Sequence, residues 1–106
     1  MKAKEYMAMY YDKIIAGDAT AMQNIVLGFV TDYNHLIEVR RPKSRPALYA
    51  IANEVNQKWN ALAAAVEKRH GAPVLAKDGF MFLALEDNAE LRRAVAFAVK
   101  RRTTNG

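Results

Sequence analysis

The sequence predicts an all-α fold: a small bundle of four to five helices forming one domain over 1–106. Three observations carry that prediction. Apolar residues recur at three- and four-residue spacing over long stretches, capping residues stand where those stretches begin, and Gly or Pro stands where they end. A mainly α fold with a short β-hairpin near 74–83 is the alternative. With 106 residues, 52% of them hydrophobic, the chain can fill one core and has no room for a second.

The first helix is expected from about Lys2 to Ala16. Ala3, Met7, Tyr10, Tyr11 and Ile14 make its buried stripe, and Gly17 provides the left-handed stop. Asp18 caps a second helix reaching about Arg40, with Met22, Ile25, Val26, Phe29, Val30, Tyr33, Leu36 and Ile37 inward. Pro42 closes it, because a proline disfavours helical ψ in the residue before it. Gly28 lies inside this helix and off its stripe, at a cost of about 1 kcal/mol relative to alanine. Close approach of another helix would explain it. Tyr6, Met9 and Leu27 also fall off their stripes and are offered to a dimer or partner surface.

Ser44 is the N-cap of a third helix, with Pro46 in its first turn, where a missing N–H does no harm. Nothing interrupts it before His70, and Gly71 and Pro73 then stop it. Leu48, Ile51, Ala52, Val55, Trp59, Leu62 and Val66 form its seam, with Ala47, Ala50, Ala61 and Ala65 on the opposite flank. Asn53, Asn56, Gln57 and Asn60 form a row of neutral amides beside that seam. A solvated helix face is normally Lys- and Glu-rich, so an amide row predicts a face that meets something. Residues 72–87 are ambiguous. Lys77-Asp78-Gly79 reads as a hairpin turn between 74–76 and 80–83, or Asp78 reads as the cap of a short helix with Phe80 and Leu83 inward, and the helix is favoured. Asp87 and Glu90 form a capping box for a last helix, about Asn88 to Arg102, with Leu91, Ala94, Val95, Ala98 and Val99 inward. A flexible polar tail over 102–106 is expected to follow.

Several chemistries have nothing to work with. The absence of cysteine excludes disulfides, thiolate catalysis and Cys-based metal centres. The lone serine, Ser44, is already a cap, and no Gly-rich phosphate loop exists. The chain is therefore read as not an enzyme, with no cofactor. Asp32-x-x-His35 and Glu67-x-x-His70 resemble the paired carboxylate–His spacing of di-metal bundles. In antiparallel helices these two motifs lie roughly 29 Å apart, so no metal is assigned. His70 serves better as positive charge at a helix C-terminus. The N-terminus is too charged for a signal peptide, and the longest apolar runs, 80–85 and 94–99, fall far short of the ~20 residues that span a bilayer. A cytoplasmic protein of prokaryotic or viral type, without a membrane partner, is expected.

The net charge of +5 is uneven. All of the excess sits in Arg40-Arg41-Pro42-Lys43-Ser44-Arg45 and in the segment after residue 87. Basic residues that open a helix, where acids are preferred, suggest an anion or partner site at Arg40, Arg41, Lys43, Ser44 and Arg45. Arg93, Phe97 and Arg101 form a second set at i, i+4, i+8, suited to a nucleobase or an acidic partner. The functional expectation is a non-enzymatic interaction module that self-associates or binds a protein partner through the amide row and the basic loop, as a regulator, adaptor or inhibitor. The alternative is a small basic nucleic-acid-binding protein contacting phosphates through 40–45 and the last helix.

Overall fold

The computed structural model describes residues 2–84, with side chains through Met81. The expected last helix, its Arg93, Phe97 and Arg101, and the 102–106 tail lie outside the described residues. Within them the chain is a bundle of three long helices and one short one: α1 (Ala3–Ala16), α2 (Ala19–Arg40), α3 (Arg45–His70) and α4 (Gly79–Ala84). No strand occurs among the described residues, so helix and not hairpin follows the 77–79 turn.

Local chemistry sets the helix ends. Gly17 sits at φ 71° and donates its N–H to Ile14 O, closing α1. Asp18 then caps α2, its carboxylate accepting from Ala21 N at 2.9 Å. α2 ends at Arg40, as expected. Arg41 itself turns left-handed, at φ 47°, and its N–H donates to Ile37 O at 2.8 Å. Ser44 caps α3 through Ala47 N, and Gly71, at φ 90°, ends it.

α3 is the central element and touches all three others. α2 and α3 run antiparallel, pairing Arg40 with Glu54 near the connection and Phe29 with Trp59 farther from it. α1 lies against both. Tyr6 stacks on Phe29 at 5.1 Å, and the Arg69 guanidinium sits 4.0 Å over the Tyr11 ring. The core is a chain of aromatic contacts running from Tyr6 through Phe29 to Trp59 and Phe80, and from Phe80 to Tyr33. Ile25, Val55, Leu62 and Val66, none of them solvent-accessible, pack around it.

Tyr6 is the main correction to the expected stripes. It is buried in the core and not on a partner surface, whereas Met9 and Leu27 are exposed. The reason is geometric. A helix resting on two others buries a wider arc than one resting on one. The close approach expected at Gly28 is made by this same residue: a Cβ there would stand 2.3 Å from the Tyr6 hydroxyl oxygen. The glycine is a socket for the tyrosine.

Candidate functional site

The connection between α2 and α3 is four residues long, Arg41 to Ser44, and both of its ends are fixed by hydrogen bonds. The Arg40 guanidinium forks onto the carboxylate of Glu54, about two and a half turns into the facing helix, with Nη2 donating to Oε1 at 3.1 Å and Nη1 to Oε2. This hydrogen bonding draws the Glu54 pKa below the usual carboxylate range, and the neighbouring charges of Arg40 and Lys58 act in the same direction. It also raises the Arg40 pKa, so this pair stays ionised. Both side chains are about half exposed, and water screens the attraction; the bridge chiefly fixes the direction of Arg40.

Arg41, Lys43 and Arg45 are exposed, and no ion pair engages them among the described residues. Ser44 Oγ accepts from Ala47 N at 3.3 Å. The structure thus brings the five loop residues to one corner but gives them different work: Arg40 is paired, Ser44 caps, and three cations face solvent. Val39, just before them, is 65% exposed, an apolar side chain beside a cationic cluster. Such a corner can attract and orient an anionic surface.

The amide row divides. Asn53 and Gln57 are exposed and lie 3.4 Å apart, Gln57 Nε2 donating to Asn53 Oδ1. Asn56 and Asn60 instead hold the turn before α4. Their Nδ2 groups donate to one oxygen of the Asp78 carboxylate, at 3.0 and 2.7 Å. Asn60 Oδ1 accepts from Asp78 N at 2.7 Å, and Asn56 Oδ1 accepts from Met81 N at 3.1 Å. Between them Trp59 Nε1 donates to Ala76 O at 2.7 Å. Asn56 is 1% exposed and is the one buried polar side chain among the described residues.

This clamp explains the unusual backbone beneath it. Asp78 stands at φ 57°, a left-handed conformation that a non-glycine residue keeps only when its surroundings hold it there. Gly79 passes so close to Trp59 that a Cβ would lie 3.0 Å from the indole nitrogen. The hydrogen bonds from Asn60 and Asn56, and then the charge of Lys77, lower the Asp78 pKa. Asp78 does not cap α4 with its own carboxylate. The side chain that takes a first-turn N–H comes from α3, as Asn56. The row of Asn53, Asn56, Gln57 and Asn60 marked a contact face, but nothing local in sequence tied Asn56 and Asn60 to a segment 18 or more residues away.

His35 and His70 are both exposed, and no group of metal-ligating side chains is assembled among the described residues. No helix among the described residues is long and apolar enough to cross a membrane. No protein-family model, no curated protein and no solved structure matches the chain.

Proposed function

We propose that this chain is a non-enzymatic helical interaction module that docks a protein partner bearing an acidic patch on the corner between α2 and α3. The observation that carries this reading is the exposure of Arg41, Lys43 and Arg45 on a short connection capped at both ends. Cations held on a fixed backbone lose little freedom on binding, so more of their attraction appears as affinity. Val39 supplies an apolar contact within the same patch, which suits a protein surface better than a bare phosphate backbone. Asn53 and Gln57 remain as exposed amides on the same helix that opens at the corner.

Nucleic acid is the second reading, favoured by the density of cations at a helix start. A fluorescent amphipathic peptide of alternating Glu and Leu and a short mixed-sequence DNA duplex separate the two. Joint replacement of Arg41, Lys43 and Arg45 by Gln should abolish peptide binding and leave helicity unchanged. Peptide binding that survives this change removes the corner from the account. Binding of the duplex alone, with a logarithmic salt slope of about −3 for three phosphate contacts, would replace the protein-partner reading with the nucleic-acid one.

A further inference from the structure

Asp78 and Gly79 form an Asp-Gly pair at the turn that Asn56, Trp59 and Asn60 grip from α3. An aspartate followed by glycine is among the least durable links in a polypeptide, because no side chain hinders the glycine nitrogen from reaching the aspartate Cγ. The fold nevertheless requires glycine here. A Cβ on residue 79 would lie 3.0 Å from the Trp59 indole nitrogen and 3.1 Å from two carbons of the same ring.

The atoms that would react are all engaged in the folded chain. One Asp78 carboxylate oxygen accepts from Asn56 Nδ2 at 3.0 Å and from Asn60 Nδ2 at 2.7 Å. These bonds favour the ionised carboxylate, which has no hydroxyl to lose as water. The Gly79 N–H donates to Ala76 O at 3.1 Å. Asp78 N donates to Asn60 Oδ1 at 2.7 Å, and Phe80, 1% exposed, packs against Phe29 and Tyr33, so the backbone is fixed on both sides of the pair. The pair itself is only half-buried and follows the exposed Ala76 and Lys77, so water is at hand.

We propose that Asp78–Gly79 is a latent self-modification site that Asn56 and Asn60 keep closed, and that release of residue 78 from α3 lets it convert to isoaspartate. On release the Asp78 carboxyl takes up a proton and the Gly79 nitrogen attacks its Cγ. The N–Cγ bond forms, the N–H and Cγ–OH bonds break, and one water leaves, giving a succinimide ring. Water then adds to the ring. Opening at Cγ restores aspartate; opening at the former backbone carbonyl leaves the chain running through Cγ, with a free α-carboxylate. No electrons are transferred. The product has one more backbone carbon and its carboxylate is displaced, so it no longer meets both amides and the release becomes one-way. The inference is independent of the corner between α2 and α3, and replacing the corner cations leaves it untouched.

The test follows the full chain through prolonged incubation at neutral pH, folded in buffer and unfolded in concentrated urea. Isoaspartate at 78 is counted from its diagnostic backbone fragments in a mass spectrometer. The folded protein should accumulate it at least about tenfold more slowly, because the rate scales with the population of the opened state. Asn60→Ala removes one grip on the carboxylate and the bond to Asp78 N, and should raise the folded rate several-fold at unchanged helicity. Ile14→Ala, a core truncation in α1, should raise it far less. Modified chains should show Trp59 emission shifted to the red, because Ala76 O no longer holds the indole. Equal rates in buffer and urea would overturn the proposal, and that comparison stands even where Asn60→Ala does not fold. So would a folded Asn60→Ala that modifies at the parent rate, an Ile14→Ala effect as large as that of Asn60→Ala, or modified chains whose Trp59 emission matches the parent.

Discussion

Asn56→Asp is the sharpest probe of the clamp, because it changes one donor atom and almost no volume. The side chain is buried, and its Nδ2 stands 3.0 Å from an Asp78 oxygen. The replacement sets a second carboxyl against a carboxylate that Asn60 still holds in place. The new group escapes repulsion by taking up a proton, after which it again donates to Asp78. That escape bounds the penalty. Holding a carboxyl of ordinary pKa near 4 protonated at pH 7 costs about 4 kcal/mol, and the cost falls by about 1.4 kcal/mol for each pH unit below that. The sign follows from linkage. The folded-state pKa at position 56 is raised above the unfolded one, so the variant has its full stability below about pH 4 and loses it as pH rises towards the folded value. Urea titration followed through Trp59, the only tryptophan, measures this directly. The variant should be destabilised by as much as about 4 kcal/mol at pH 7 and approach the parent protein near pH 4. Asn56→Ala, which removes the bonds without adding charge, should cost about 1–3 kcal/mol with no such trend. An Asn56→Asp penalty that is the same at both pH values would refute the clamp.

Gly28→Ala tests the socket. Helix propensity alone would stabilise by about 1 kcal/mol, but a Cβ 2.3 Å from the Tyr6 hydroxyl oxygen demands movement costing about 1–3 kcal/mol. Thermal denaturation should show a net loss, and adding Tyr6→Phe should reverse it; a more stable single variant would show that the helices part freely there. Burial, followed by the charges of Asp32, Tyr10 and Glu5, pushes the Tyr6 pKa up to about 12 from its usual 10, and burial raises Tyr33 as well. Because the folded-state value is the higher, stability should hold up to about pH 10 and decline between 10 and 12, less steeply in Tyr6→Phe. Parallel decline of the two proteins would place the alkaline transition elsewhere.

Much of this architecture was legible in sequence because it is set locally. Gly17, Asp18, Ser44, Pro46 and Gly71 each act within a few residues, through left-handed φ, a side chain reaching a nearby N–H, or a missing donor that nothing needs. The apolar seam of α3 is likewise a consequence of helical period. The four cations of the corner are visible for the same reason. That Arg40 is tied to Glu54 while the others are not depends on how α2 meets α3.

What the sequence determined among the described residues, then, is the three long helices, their ends and most of the seams they bury, because backbone hydrogen bonding and side-chain period act over a turn or two. Only the tertiary structure decided that Tyr6 is core, that Gly28 is its socket, and that Asn56 and Asn60 close on Asp78. Each of those outcomes joins residues 18 or more positions apart through a contact of a few ångströms, and hydrogen bonding and packing at that range are fixed by where whole helices come to rest.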